Sequence, residues 1–396
     1  MEKMSVLLTT EGTYPYYSGG VSTWCHKLIT ALPEIDYSLI SIIGDSLIAQ
    51  KYELPDNVIA HTTIPLWGNM ESFEHLDWVP FSSIFLSKIE TTYVDIQEKF
   101  LPVFAEIIDE ILSLEKETKD FGRKLFELYV YFRTYDYDIT MKSKIVYDFY
   151  KEKILCNLEN NKYFFAKSKV VPSIYELEQS LGLIFRFFKI INTQVSKTDI
   201  THSSAAGFCG VSNVIAKHLY GSPYLLTEHG VYIREQYLSE QRKKMPLFLR
   251  DFLISFTDSI VKLNYEFADT ICPVCSFNSN WEKEFGVNPQ KIEVIYNGVD
   301  PEVFVYRKSE KDKKRVIAIA RVDPLKDIEN FIRAARKVID VIPEVEFAVY
   351  GAISDEDYYR KCIKLNDSLG LKNKLKFHGH IKKPEMAYHQ GDVVVL

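Results

Sequence analysis

Apolar residues along this chain follow two alternating patterns. Some fall in short runs without polar interruption, as in Val6-Leu7-Leu8 and Val316-Ile317-Ala318-Ile319-Ala320. Such runs suit strands buried on both faces, as in a parallel sheet. Others recur at every third or fourth position and share one stripe of a helix. The runs predict strands at 5–9, 37–43, 58–64, 199–202, 223–227, 269–274 and 292–296, then at 316–320, 345–350, 374–378 and 392–396. Helices are expected at 21–32, 207–220, 232–266 and 276–285, and between the last four strands. Val21, Trp24, Leu28 and Leu32 form the expected apolar stripe of the first helix. Strands alternating with helices imply an α/β fold built on parallel sheets.

Between Asn69 and Val195 the strand pattern lapses. Phe100, Phe104, Ile107, Ile111 and Leu114 recur at helical spacing, as do Ile174, Leu177, Leu181, Ile184, Phe188 and Ile191. This predicts a helical insertion over about 70–195, inside a first domain covering 1–305. Aromatic stripes of this kind read as core. The run RKSEKDKKR at 307–315 reads as a solvated connector. The second domain then takes residues 306–396. It closes on a strand without the crossover and cover that a parallel strand needs, so it is expected to be incomplete.

Composition narrows the function classes. A net charge of −6 gives no electrostatic support for nucleic-acid binding. Six scattered cysteines suit a reducing cytosol better than a disulfide framework. The apolar run at the amino terminus is too short for a secretory signal, and no stretch reaches the length of a membrane span. The expectation is a cytoplasmic protein that meets a membrane only through a partner.

Candidate chemistry gathers at the carboxyl ends of predicted strands, where open α/β sheets bind ligands. Arg321 follows the strand 316–320. Asp323 and Pro324 are expected as N-cap and first residue of a helix, with Lys326 in its first turn. A cation there opposes the helix dipole unless an anion sits beside it. Arg321 and Lys326 therefore read either as a diphosphate clamp or as two solvated basic residues. Gly19-Gly20, between a strand and a helix, admits close approach of a ligand or serves backbone conformation alone. It matches neither the dinucleotide fingerprint nor a P-loop. His229 follows a buried strand and is the better histidine candidate; His202 reads as a structural hydrogen-bonding group. Glu11 reads as an acceptor contact or a solvated loop carboxylate. Cys272 and Cys275 form a CxxC with no second ligand pair for zinc, and read as packing.

Four stretches together resemble the family 4 retaining glycosyltransferases. They are TEGTYPYYSGGVSTW (10–24), LLTEHGVYIRE (225–235), NGVD (297–300) and ARVDPLKDIENFIRAA (320–335). The first two, with YGAISDEDYYRKC (350–362) and FHGHIKKPE (377–385), resemble the branch that builds Pel-type biofilm exopolysaccharide. The resemblance implies the GT-B arrangement, two facing Rossmann-like domains, with the sugar nucleotide on the carboxyl-terminal one. Carried over by motif, Arg321 and Lys326 bind the donor diphosphate and neutralise the leaving group. Gly19 and Gly20 approach the donor from the first domain, and His229 sits against the transferred sugar as the catalytic-site histidine. Gly351, Gly379, His380 and Ile381 line the nucleotide pocket. The branch implies UDP-glucose as donor, a growing polysaccharide as acceptor, a membrane export complex as partner, and neither metal nor other cofactor. It also implies front-face transfer with retention, the leaving phosphate accepting the acceptor's proton. The family places a Glu-x7-Glu segment after the strand 392–396, so these 396 residues are expected to hold only part of the active site. Two alternatives stand beside this reading: a sugar-nucleotide epimerase of the same fold, and a non-catalytic scaffold that uses the helical insertion to join an export complex.

Overall fold

The computed structural model describes residues 3–68, 79–165, 170–240, 244–305, 314–381 and 383–395. The expected start of the insertion near 70 and most of the charged run 307–315 lie outside the described residues. The chain divides into two compact units, Met1–Asn297 and Gly298–Leu396.

The first unit is built on six strands: β1 (Ser5–Glu11), β2 (Asp36–Asp45), β3 (Val58–Trp67), β4 (Ile200–Ser203), β5 (Tyr224–Glu228) and β6 (Thr270–Pro273). Their order is β3-β2-β1-β4-β5-β6, with every pair parallel. This is a doubly wound order whose direction reverses between β1 and β4. Alternate strand residues go to opposite faces. Val6, Leu8 and Leu39 pack with Cys25 and Ile29 of helix α1 (Gly20–Ala31). Leu7, Ile40, Ile42 and Ile64 join a much larger core on the other face.

The insertion supplies that larger core. Phe100, Phe104, Ile107 and Ile111, on and just before α2 (Leu101–Leu112), are fully buried in it. α3 (Thr118–Tyr131) and α4 (Ile174–Phe187) add Leu125, Leu128, Leu177 and Ile184. The expected aromatic stripes are therefore core. Two members are not: α2 stops at Leu112, Ser113 is extended and Leu114 is exposed, and Ile174, the first residue of α4, is exposed as well.

Helices α5 (Gly210–Tyr220), α6 (Tyr232–Glu240), α7 (Leu247–Phe267) and α8 (Ser276–Glu284) complete the unit. The helical region expected over about 232–266 consists of two helices. Pro246 stands as the N-cap of α7, where its missing N–H costs nothing. The strand expected at 292–296 is a bare extension beside β6. Ile292 bridges Ile271, and the Glu293 and Ile295 N–H groups donate to Ile271 and Pro273 at 2.9 and 3.0 Å. Ile295 and Tyr296 lie exposed there instead of packing as a strand face. The stripe of α1 is also displaced by one residue: Ser22, Cys25 and Ile29 are buried, and Trp24 is only half-buried.

The second unit has four parallel strands, β7 (Arg315–Ile319), β8 (Glu346–Tyr350), β9 (Leu375–Gly379) and β10 (Val393–Val395), ordered β10-β7-β8-β9. Its direction reverses between β7 and β10. Helix α9 (Ile328–Val341) presents Ile328, Phe331, Ile332, Ala335 and Ile339 to Ala318, Phe347 and Val349 of the sheet. α10 (Glu356–Ser368) and α11 (Pro384–Tyr388) follow. Residues 299–305, kept with the first domain in the sequence reading, fold within this unit. The Phe304 ring meets Tyr388 edge-on at 5.6 Å, and His389 Nε2 donates to the Val305 carbonyl at 3.0 Å. Both units have the α/β parallel-sheet architecture of GT-B glycosyltransferases.

Candidate functional site

In the second unit, the loops after β7, β8 and β9 are tied edge to edge. The Ala320 N–H donates to the Tyr350 carbonyl at 2.9 Å, and the Val322 N–H to that of Ala352 at 2.8 Å. A Cβ at Gly351 would lie 1.8 Å from the Ala320 carbonyl oxygen, so only glycine lets the two loops close. The Gly351 N–H donates in turn to Gly379, at 2.9 Å. Gly379 holds a φ of 71°, the left-handed region that favours glycine. Gly351 and Gly379 thus build the floor from which Arg321 projects.

Arg321 is exposed, and its Nε lies 3.4 Å from Asp323 Oδ2. The other oxygen of Asp323 accepts the Lys326 N–H at 3.2 Å. The expected cap is present but caps something else. Asp323 caps a 3₁₀ turn, Pro324–Lys326; Asp327 then adopts φ 45° and ψ 48°, and α9 begins only at Ile328. Lys326 therefore ends a short turn and does not sit in the first turn of the long helix. The dipole penalty that made its position suggestive does not arise. Its exposure, one turn of chain from Arg321, remains. His380 is exposed and Ile381 half-buried, packed against Ile317, Ala348, Tyr350 and Ala387. His378, which the sequence reading passed over, stacks on Tyr350 at 4.6 Å and 10°.

In the first unit, Gly19 is the N-cap of α1 and Gly20 its first residue. Both are exposed, and a Cβ on either would meet nothing within 4 Å. Backbone packing does not demand glycine at these two positions. One turn along, Trp24 meets the rings of two histidines edge-on. Its centroid lies 4.8 Å from His229 at 73° and 5.4 Å from His202 at 87°. The glycine pair and His229 are thus joined through one aromatic side chain. His202 is buried and hydrogen-bonded to Thr227 Oγ1 at 2.8 Å. His229 Nε2 is buried with no hydrogen-bond partner among the described residues.

Burial lowers both histidines to a pKa of about 4, and for His202 the neighbouring His229 adds to the effect. Both are neutral near pH 7. A neutral imidazole with one unpaired nitrogen can exchange a hydrogen bond with a sugar hydroxyl, but it is a poor proton carrier at that pH.

Beneath the histidines lies a layer of buried carboxyls. Glu11, half-buried, accepts the Tyr232 hydroxyl at 2.6 Å on one oxygen and the Cys209 N–H at 3.1 Å on the other, so both oxygens are engaged within the fold. Burial raises its pKa against these bonds. Glu228 and Glu282 are both 0% exposed. Burial raises both, Glu228 far above the carboxylate range. Sequence patterning could not find this layer, because its members come from β1, β5, α6, α7 and α8. Cys272 and Cys275 are free thiols, and no group able to hold a metal is found among the described residues.

Comparison with known proteins adds the following. Residues 4–290 match the model of a domain of unknown function, DUF3492, and residues 301–396 match that of the glycosyl transferases group 1. The uncharacterized glycosyltransferase MJ1607 of Methanocaldococcus jannaschii is 22% identical over 239 residues, covering 56% of this chain and 55% of that protein. The chain thus spans about half the length of this curated relative. Among solved structures, Anabaena Alr3699/HepE in complex with UDP and glucose superposes with a TM-score of 0.51 at 12% identity, over 99% of this chain and 73% of that one. The sucrose-phosphate synthase of Thermosynechococcus elongatus superposes with a TM-score of 0.50 at 14% identity, over 99% and 75%. At these identities the likeness concerns the fold.

Proposed function

The chain belongs to the DUF3492 family, and we propose that it is a retaining glycosyltransferase that takes glucose from UDP-glucose and extends a Pel-type exopolysaccharide. The observation that carries the reading is the second unit's strand-end layer. An exposed Arg321 stands on a floor that requires glycine at 351, beside the point where the sheet reverses direction. Crevices at such points take nucleotides. The match of residues 301–396 to the glycosyl transferases group 1, and the UDP and glucose in the Anabaena structure, support a UDP-sugar in that place.

In this mechanism Arg321 forks onto the diphosphate and Lys326 adds a point charge, stabilising the leaving group without a metal. Gly351, Gly379, His380 and Ile381 line the nucleotide. Gly19 and Gly20 give the donor an open approach to the α1 N–H groups. His229, neutral and with Nε2 unpaired, takes a hydroxyl of the transferred sugar and orients it. The leaving phosphate accepts the acceptor's proton and retains configuration. Calorimetry with UDP, UDP-glucose and GDP-glucose in the presence of a chelator tests the reading. Selective binding of the uridine nucleotides, weakened by Arg321→Ala, is expected. Equal affinity of the Arg321→Ala chain would overturn it.

One further observation favours a partner on the insertion, which we assign to the export complex. The helix Phe81–Glu90 buries no residue, and Phe81, Phe85, Leu86 and Ile89 stand exposed on it. Loss of polymer in cells, with UDP binding intact, is expected when Phe81, Phe85 and Ile89 are changed together to Ser.

A further inference from the structure

We infer that Tyr232 is a positioning residue: bonded to one carboxyl group through its hydroxyl and to another through its N–H, it fixes the His229 loop to the end of β1. The inference deepens the reading of His229 as a donor-sugar contact and rests on it only for its functional meaning.

Glu11 is the last residue of β1 and precedes the loop that ends at Gly19-Gly20. Glu228 is the last residue of β5 and precedes His229. Tyr232 opens α6 and reaches both. Its hydroxyl donates to Glu11 Oε1 at 2.6 Å, across 221 positions of sequence, and its N–H donates to Glu228 Oε1 at 3.0 Å. β4 lies between β1 and β5, so these strands are about 10 Å apart, and the tyrosine and glutamate side chains together bridge them.

Each carboxyl group is held from a further element as well. The Cys209 N–H, at the start of α5, donates to Glu11 Oε2 at 3.1 Å. The Tyr265 hydroxyl, from α7, donates to Glu228 at 2.9–3.1 Å. A Cβ at Gly207 would lie 2.7 Å from Glu11 Oε2 and 2.7 Å from Tyr232 Cε2, so the loop after β4 packs directly on the pair. Val231 and Ile233, on either side of Tyr232, are buried in the larger core. Between the two bonded residues 228 and 232 lie only His229, Gly230 and Val231. His229 Nε2 makes no hydrogen bond among the described residues, and the ring rests edge-on to Trp24 at 4.8 Å. The direction of the ring therefore follows its backbone, and Tyr232 holds that backbone to the strand that opens the glycine loop.

Tyr232→Phe keeps the ring and the N–H bond and deletes only the hydroxyl. In the ligand-free chain the His229 ring-proton resonances, identified by their loss in His229→Gln, should shift as the ring turns against Trp24. The Tyr232 amide, and the Glu235 amide bonded to the Val231 carbonyl at 3.0 Å, should exchange about tenfold faster. Glu11→Ala should move the same resonances. Glu11→Gln should leave them in place, because its amide oxygen can accept the Cys209 N–H while its amide nitrogen donates to the Tyr232 oxygen. Tyr150→Phe removes a buried hydroxyl bonded to Ser180 at 2.8 Å in the insertion, and controls for lost stability alone. It too should leave the His229 resonances in place. Resonances unmoved in Tyr232→Phe, or moved as far by Tyr150→Phe, would overturn the inference; Tyr232→Phe decides the matter if Glu11→Ala does not fold. Calorimetry then reads the functional meaning. In Tyr232→Phe the affinity of UDP-glucose relative to UDP should fall by about threefold to tenfold, with UDP affinity unchanged. An unchanged ratio would leave Tyr232 without a positioning role. If the wild type binds neither nucleotide, the glycosyltransferase reading falls, and the ligand-free resonances still decide whether Tyr232 holds the His229 loop.

Discussion

In the first unit, the titratable side chains at the strand ends are wholly or partly taken out of water. His202 and His229 are held neutral by burial, and Glu228 lies fully buried, accepting from Tyr265 and Tyr232. In the second unit, the equivalent strand ends carry Arg321 and Lys326 in the open, with a carboxylate 3.4 Å from the Arg321 Nε. A surface ion pair of that kind is worth about 0–1 kcal/mol, so little is lost when a ligand replaces it. The first unit's network carries its cost in the fold, because each buried group depends on its neighbours for a partner. One region is therefore a network closed within the fold, and the other is an open charged surface. Changes in the first should appear as stability and pH dependence. Changes in the second should appear as affinity with the fold untouched.

The largest expected effect breaks the open side. Changing Arg321 and Lys326 together to Ala removes two charge-assisted contacts, each worth about 1.5–3 kcal/mol, or one to two decades in UDP affinity. Thermal unfolding should stay where it was, because both side chains are exposed. A lowered melting temperature would show that the cations belong to the fold.

Next comes acid. Burial lowers each histidine from its ordinary 6.5 to a folded pKa of about 4. The unfolded chain therefore binds more protons below pH 6.5, and stability falls as pH drops from there towards 4. At pH 5 the loss should be about 1–2 kcal/mol per histidine, with His229 at the lower end because it is only half-buried. His202→Gln and His229→Gln should flatten the acid limb in urea titrations. A limb of unchanged slope in both variants would mean that neither ring is held neutral.

The third change acts on the floor of the open side. Gly351→Ala drives a methyl group against the Ala320 carbonyl and should cost about 1–3 kcal/mol of stability, with UDP affinity falling as Arg321 is displaced. Chemical denaturation and calorimetry on one preparation would show both. The smallest effect sharpens the comparison from the other direction. A Cβ at Gly19 meets open space and its φ of 171° is ordinary extended backbone, so Gly19→Ala should change stability by less than about 0.5 kcal/mol. Any loss of UDP-glucose affinity in that variant is then a ligand effect.

Much of the fold was written in the apolar pattern. Uninterrupted runs such as Val316 to Ala320 suit strands inside a parallel sheet, and β7 lies between β10 and β8 with Ile317 and Ala318 buried. The strand 292–296 looked similar and does run beside β6, but Ile295 and Tyr296 stay exposed, and a local pattern cannot tell whether another layer covers it. α1 shows the limit in another form: a shift of one residue in the buried stripe left Trp24 beside the two histidines. At the site, Asp323 and Pro324 correctly announced a cap, because capping is a local matter of side chain and turn. What they capped depended on Asp327 turning left-handed, which neighbouring residues alone do not reveal.

By itself, then, the sequence determined the two α/β units, the helical insertion as core, and the positions of Arg321, Lys326, Gly351 and His229 at strand ends. Each follows from periodicity or from chemistry within a few residues. Only the tertiary structure decided that Gly351 must lie against Ala320, that His229 is neutral, and that Glu228 is buried against Tyr265. These depend on burial and on contacts between segments far apart in the chain, and the free energy of a charge is set by what surrounds it in space.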